Sequence, residues 1–386
     1  MNSIRRLDEV CELVMGQAPT GDTYNTDGKG WPLIAGAGDF GESTPQATKF
    51  TTEATKLSRT GDIVLGIRAS IGEKVVADGE YCLGRGVAGL RPLETLDSRF
   101  LWHWLSHISP RLTAKAKGAT FKQVNKQDLG ELSIPLPPLT EQRLIAEVLD
   151  RAETLRTKRR AALAQLDTLT QSIFLDLFGD PAKRGWPMSS IAGIAEPSDG
   201  SIRTGPFGSQ LLHSEFVDEG VAVLGIDNAV SNEFRWDKLR FISATKYREL
   251  KRYTVRPGDV LITIMGTCGR CAVVPDDIPI AINTKHLCCI TLDGERCLPV
   301  FLHAYFLQHP SARRYLDQTA KGAIMAGLNM GLIKAMPIPI PPMELQREFA
   351  SRNAAIERLK SAHRASLTKL DSLFAVLQHR AFRGEV

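Results

Sequence analysis

One block of this chain occurs twice. Lys117-Gly118-Ala119, Ile134-Pro135-Leu136-Pro137-Pro138-Leu139 and Gln142-Arg143 return 204 positions later without a gap, as Lys321-Gly322-Ala323, Ile338-Pro339-Ile340-Pro341-Pro342-Met343 and Gln346-Arg347. The same register pairs Val124 with Leu328 and Leu129 with Ile333. Further upstream the match continues at an offset of 197, with Gly61-Asp62-Ile63-Val64 against Gly258-Asp259-Val260-Leu261 and Gly72 against Gly269. A change of offset implies short insertions, which belong in loops. The chain therefore reads as two copies of one unit of about 190 residues. Its 386 residues, 43% hydrophobic, are too many for one ordinary compact domain and apolar enough for two cores.

Each copy ends in a long helical pattern. After the Pro-rich turn, apolar side chains fall at Ile145, Val148, Ala152, Leu155, Ala162, Leu166, Leu169 and Ile173, with Arg159 in the polar slot. The second copy gives Phe349, Ile356, Leu359, Leu370, Leu373 and Leu377, with Arg352, His363 and Ser366 polar. Steps of three and four make a heptad seam. The pattern predicts helices from about Thr140 to Phe178 and from about Glu344 to Phe382. Each has ~39 residues, or ~58 Å at ~1.5 Å rise. Helices of that length rarely stand alone in water, so the two seams are expected to face each other, antiparallel.

Strand patterns precede each helix. Gly61–Ile67 and Lys74–Ala77 in the first copy correspond to Val260–Ile264 and Ala272–Val274 in the second. A helix follows in each, from about Ser98 to Ala116 with Phe100, Leu101, Trp104, Leu105 and Ile108, and from Pro299 with Phe301, Leu302, Tyr305 and Phe306. The expected class is α+β: two mixed α/β domains separated by a long antiparallel two-helix coiled coil, an internal pseudo-two-fold duplication. The expected segments are 1–137, the first domain; 138–180, the central helix; 181–339, the second domain; and 340–386, the C-terminal helix.

Charge is nearly balanced. Lys and Arg number 48 against 43 Asp and Glu, a net charge of +5, divided over the four segments as 0, −1, +3 and +3. Dedicated nucleic-acid binders usually carry a larger excess. Composition thus permits DNA binding without demanding it. No apolar run approaches the ~20 residues of a membrane span, and Met1-Asn2-Ser3-Ile4-Arg5-Arg6 leads into Asp8 and Glu9 rather than into a hydrophobic signal. Seven cysteines without framework spacing fit reduced thiols and a cytoplasmic location.

Motifs for catalysis or metal binding fail on their context. Gly84-Arg85-Gly86-Val87-Ala88-Gly89 spells GxGxxG, but Leu90-Arg91-Pro92 follows where a helix should begin. Cys268-Gly269-Arg270-Cys271 lacks the second spaced pair of a structural zinc site, and Cys288-Cys289 reads as strand. Pro275-Asp276 with Asn283-Thr284-Lys285 offers Asn where a nuclease needs a carboxylate. No P-loop, GxSxG or HExxH is present. No catalytic residue, metal ligand or cofactor is assigned.

Two similar but non-identical domains, each followed by a heptad helix, resemble the specificity (S) subunit of type I restriction-modification systems. The resemblance rests on Ile134-Pro135-Leu136-Pro137-Pro138-Leu139-Thr140-Glu141-Gln142-Arg143 leading into the first helix. The second copy repeats it, with Leu345 in place of Glu141. Gly118-Ala119-Thr120 before Ile134-Pro135 is similar to the end of a target-recognition domain. Thr204-Gly205-Pro206-Phe207-Gly208-Ser209-Gln210-Leu211-Leu212, with Val223-Leu224-Gly225-Ile226-Asp227-Asn228, looks like the start of one.

The resemblance implies a non-catalytic subunit whose two domains each read one half of a split, asymmetric site on double-stranded DNA. It also implies modification (methyltransferase) subunits, two of them, using S-adenosylmethionine, and a restriction subunit with ATP-dependent translocation and cleavage. No membrane is implied. Two different readers on a stiff spacer read two different half-sites at a fixed gap, as dimeric readers read symmetric ones.

Base reading favours Arg, Lys, Gln, Asn, Ser and Thr on loops. The candidates are Gln17, Arg68, Ser70, Lys117, Thr120 and Lys122 in the first domain. In the second they are Arg203, Thr204, Ser209, Gln210, Thr267, Arg270 and Lys321. Arg68-Ala69-Ser70-Ile71-Gly72 and Met265-Gly266-Thr267-Cys268-Gly269 occupy equivalent turns. Glu141, Gln142, Arg143, Arg156, Gln346 and Arg347 are candidates for partner binding. Capping of the helices is the plainer reading for Glu141, Gln142, Arg143, Gln346 and Arg347, with Thr140 at the N-cap, and a solvated face is the plainer reading for Arg156. Two alternatives stay open. One is a coiled-coil interaction scaffold that never touches DNA. The other is the specificity part of a split restriction-methyltransferase, against which Met1 leading straight into the first domain counts.

Overall fold

A computed structural model describes residues 3–116, 123–179, 184–320 and 328–383. The chain forms two compact units: 1–161 with 364–386, and 162–363. The units are thus drawn differently from the sequence segments, because each takes half of both long helices.

The first unit is built on a four-stranded sheet in the order Cys11–Met15, Val87–Pro92, Ile63–Gly66, Lys74–Val76, all neighbours antiparallel. Ile63, Val64 and Leu65 are fully buried, as expected of a central strand with both faces covered. One face carries the Ser98–Lys115 helix, whose Phe100, Leu101, Trp104, Leu105 and Ile108 fill the core. A second sheet runs Tyr24–Asn25, Lys49–Thr51, Trp31–Ile34, Cys82–Leu83, the last pair parallel. Ser3–Arg6 pairs antiparallel with Ser133–Leu136 and ties the chain start to the turn before the long helix.

The second unit repeats this plan. Its main sheet runs Ile202–Thr204, Leu287–Ile290, Val260–Thr263, Cys271–Val273, and its other sheet Phe216–Val217, Phe241–Ile242, Val221–Leu224, Ala281–Asn283, with Thr254–Val255 added at the edge. Met188–Ser190 pairs with Pro337–Pro339 as Ser3–Arg6 does with Ser133–Leu136. The expected strands and helices are all found, with ends that differ by one or two residues. Small details repeat too. Asn125 and Asn329 cap short helices by accepting from Asp128 N at 2.8 Å and Leu332 N at 2.9 Å.

The long helices are Leu139–Phe178 and Met343–Ala381. Thr140 is not the cap, because Pro138 O already accepts from Glu141 N at 2.9 Å and Gln142 N at 3.0 Å. Within the first unit the helices lie antiparallel. Arg156 Nε donates to Asp371 Oδ1 at 2.6 Å, and Ile145, Leu149 and Ala152 share a core with Phe374 and Ala381. The second unit shows the same sense, with Lys360 Nζ 2.7 Å from Asp167 Oδ1 and Phe174 and Phe178 packed on Phe349.

The heptad reading chose part of the wrong stripe. Ile145, Ala152, Phe349 and Ile356 are buried as expected, and so are Gln142, Leu149, Phe174 and Phe178. Val148, Leu155, Leu169, Leu359 and Leu373 face outward at 40–53% exposure. A seven-residue spacing of apolar side chains identifies an apolar stripe. It does not say which of two stripes meets the partner helix.

Candidate nucleic-acid interface

In each unit the two sheets meet along one edge, and backbone hydrogen bonds gather the same three turns there. The first is the turn 84–86 between the Cys82–Leu83 and Val87–Pro92 strands. Gly84 N donates to Ile34 O at 2.8 Å, and Ile67 N to Gly86 O at 2.9 Å. That second bond sets the Arg68-Ala69-Ser70 turn against it. Gln17 N donates to Leu83 O at 2.8 Å and brings up the third segment. Arg68 also bridges Gln123.

The second unit repeats two of these bonds, Thr284 N to Leu224 O at 2.9 Å and Ile264 N to His286 O at 2.9 Å. It holds its third segment one residue away on each side, through Gly205 N to Thr284 O at 3.2 Å, because Pro206 stands in the place of Gln17 and has no N–H to donate. Gly16 and Gly205 are glycines for a steric reason. A Cβ at either would collide with backbone of the facing turn, at Gly84 O or Asn283 O.

The edge carries side chains suited to reading a polar surface. Gln17 is exposed, and Arg68 and Ser70 are half-buried on the first unit's turn. Ala69 holds φ +51°, the left-handed conformation that Gly266 takes in the second unit at φ +71°. In the second unit Ser209, Thr267 and Arg270 are exposed, and Thr204 is half-buried. Gln210 is exposed, but its Oε1 accepts from Phe207 N at 3.1 Å and from the Tyr253 hydroxyl at 3.0 Å. Lys117, Thr120, Lys122 and Lys321 lie outside the described residues.

Arg203 is placed otherwise than expected. Its guanidinium is buried against Asp259, with Nη2 to Oδ2 at 2.7 Å, and Nη1 and Nη2 also reach Gly200 O, Thr291 Oγ1 and Thr254 O. Asp259 is the aspartate of the repeated Gly-Asp turn. Its counterpart Asp62 is held from a different strand by Arg91, through Nε at 2.9 Å and Nη2 at 2.8 Å. A buried carboxylate requires such a partner, so Arg203 is fixed in the interior and unavailable to bases.

Three partner candidates also turn inward. Gln142 is fully buried, its Nε2 donating to Thr95 O at 2.9 Å and Pro137 O at 2.8 Å, its Oε1 accepting from Asp97 N at 2.8 Å. Gln346 repeats this with Arg296 O, Pro341 O and Leu298 N. Asp97 and Leu298 are the N-caps of Ser98–Lys115 and Pro299–Gln308. Each glutamine therefore locks the start of a long helix to the start of its unit's own helix. Arg156 packs over the Phe374 ring at 4.3 Å while paired with Asp371 and Glu153, and belongs to the helix pairing. Glu141, Arg143 and Arg347 keep some or most of their surface open.

Cys271 and Cys288 are buried on strands of the second unit's main sheet, and Cys268 is half-buried in the turn before Cys271. Burial pushes the Cys271 thiol up and that of Cys288 up to about 12, which keeps both neutral beside their strand neighbours. Among the described residues no group of three His, Cys, Asp or Glu is arranged for a metal. No described helix is long and apolar enough to cross a membrane.

Known proteins resemble this chain in sequence and fold. The family described as "Type I restriction modification DNA specificity domain" matches residues 2–165. The chain is similar to type I specificity subunits along most of its length. It is 34% identical over 163 residues to the putative type I restriction enzyme MjaX specificity subunit of Methanocaldococcus jannaschii, covering 42% of this chain and 38% of that protein. It is 24% identical over 359 residues to the type I restriction enzyme EcoBI specificity subunit of Escherichia coli, covering 84% and 73%. The fold matches the crystal structure of a type I restriction-modification S subunit from M. genitalium at a TM-score of 0.63 and 18% identity, over 98% of this chain and 96% of that one. The first unit exposes Leu144, Val148, Leu155, Leu373 and Val376, and the second exposes Leu169, Leu175 and Leu359.

Sequence reasoning missed Lys49, Arg85, Arg240, Lys285 and His286 at this edge. Arg85 sat inside a motif rejected for nucleotide binding. A basic residue in a two-strand turn was the signal available.

Proposed function

We propose that this chain is the sequence-reading subunit of a type I restriction-modification complex, itself without catalysis. Each unit reads one half of a bipartite, asymmetric site on double-stranded DNA. The paired long helices set the unread gap and dock two modification subunits, which use S-adenosylmethionine. A restriction subunit adds ATP-dependent cleavage. The observation that carries the reading is the repeated edge: one hydrogen-bonded set of three turns, presented twice with different side chains. Arg68 and Ser70 stand on the first unit's turn where Met265 and Thr267 stand on the second's. A shared scaffold with altered tips is what reading two different half-sites requires.

The outward leucines support docking, because solvated helices seldom keep an apolar stripe without a partner. Near-neutral charge fits a reader that leaves much of the phosphate attraction to other subunits. Gel shift at several salt concentrations, with and without a co-purified modification subunit, tests the reading. The expected result is weak binding by the chain alone and specific binding by the complex. Sequence-independent binding by the complex would sink the proposal, and no binding even with the partner would favour a scaffold.

A further inference from the structure

The strand registers identify positions that the sequence offsets do not. Ile34 pairs with Leu83 in one unit and Leu224 with Asn283 in the other, each in a parallel ladder. On the far side of the turn, Gly66 pairs with Val87 and Thr263 with Leu287. Turns 84–86 and 284–286 are therefore the same three residues, and Arg85 corresponds to Lys285. On the neighbouring strand Pro32 pairs with Phe50, and Ala222 with Phe241, so Lys49 corresponds to Arg240. These equivalences sit at offsets of 200 and 191, unlike the 204 and 197 of the visible repeat. Two basic residues thus recur at one edge through two different sets of insertions.

Their surroundings suit an anion. Lys49 and Arg85 are exposed, and with Lys285 they carry no ion pair among the described residues. Arg240 shares the Asp227 carboxylate with Lys238, at 3.3 and 3.2 Å, and keeps 44% of its side chain open. In the second unit Arg240, Lys285, His286 and His213 line a groove of about 390 Å³. Thr284, at the base of the same turn, has a buried Oγ1 with no hydrogen-bond partner among the described residues. Burial, Lys285 and Arg240 all push the His286 imidazole below its ordinary value, so it stays neutral beside two cations.

The two units are built to read different sequences, and side chains that read bases should differ between them. Side chains that repeat in charge and place must contact what every sequence shares. We propose that Arg85 and Lys285, with Lys49 and Arg240, are the phosphate contacts common to both units, positioning duplex DNA while neighbouring turns read it. The inference rests on the proposed function and adds a division of labour to it: phosphate contacts fix register, base contacts specify.

The test uses the complete complex with a modification subunit, a duplex carrying its methylated motif, and a scrambled duplex. Arg85→Gln and Lys285→Gln should each weaken binding to both duplexes by the same factor, roughly fivefold at ~0.15 M salt. Each should flatten the slope of log affinity against log salt by about 0.9. Arg85→Lys and Lys285→Arg should restore the slope, and the methylated motif should stay unchanged. An unchanged slope, or a motif altered in one half, would overturn this assignment while leaving the proposed function standing. Failure of the unsubstituted complex to prefer its motif would remove the proposed function, and this assignment with it.

Discussion

Replacing Gln142 with Leu removes a clamp and keeps its volume. The side chain lies fully buried and makes hydrogen bonds to Thr95 O, Pro137 O and Asp97 N. Leucine would leave two carbonyls and one N–H unpaired away from water, at about 1–3 kcal/mol for each group that cannot find a substitute. If one or two of them regain water, the loss is about 2–5 kcal/mol. That is a large part of the ~5–15 kcal/mol that holds an ordinary domain together. The damage should be local: Ser98–Lys115 loses the fixed position of its cap, Asp97, and the long helix loses its anchor. Gln346→Leu should do the same to the second unit through Leu298 N, Arg296 O and Pro341 O. The assay is chemical denaturation followed by circular dichroism, fitted with separate transitions for the two units because a single two-state fit does not suit such a chain. Each substitution should lower one transition only, and the double variant should lower both additively. Exposed Arg143→Gln, one position along, should stay within about 0.5 kcal/mol. A loss below about 1 kcal/mol in both Leu variants would refute the clamp.

Three more expectations concern single side chains. Lys74, held by Ser106 Oγ at 2.6 Å and lying over the Trp102 ring, has its pKa lowered to about 8, chiefly by burial. The folded chain therefore binds fewer protons than the unfolded one between about pH 8 and the ordinary lysine value of 10.5. Stability should rise with pH across that window, by an upper bound of about 3 kcal/mol, and Lys74→Met should remove this rise and be more stable than the parent at pH 7. Arg203→Ala should cost about 3–5 kcal/mol in the second unit by stranding the Asp259 carboxylate, measured by the same denaturation. Leu155→Glu and Leu359→Glu, on outward faces, should change stability by less than about 0.5 kcal/mol yet reduce recovery of the modification subunit in co-purification. Undiminished recovery would remove the docking role from that stripe.

Much of the fold was legible because the duplication supplied two readings of each element. Strands such as Ile63–Gly66 and Val260–Thr263, and helices opened by Asp97 or Pro299, follow from short apolar runs and their caps. The long-helix seam was half legible. Val148, Leu155 and Leu169 keep heptad spacing, yet the ridge that packs runs through Leu149, Arg156 and Phe174. A half-buried arginine on that ridge does not look apolar in a sequence. The edge was the least legible part, because its equivalences come from strand register. Arg203 shows the same gap: its ion pair depends on Asp259, 56 residues away and brought alongside only by the sheet.

Spacing offers one more test. Inserting a few residues at matched places in both long helices should lengthen the unread gap and leave both half-sites unchanged. The central claim is met most directly by sequencing the methylated bases of a host that expresses this chain with its modification subunit. Two short, different half-sites separated by a fixed unread gap are the predicted result. A single continuous motif, a palindrome, or methylation without a motif would contradict it.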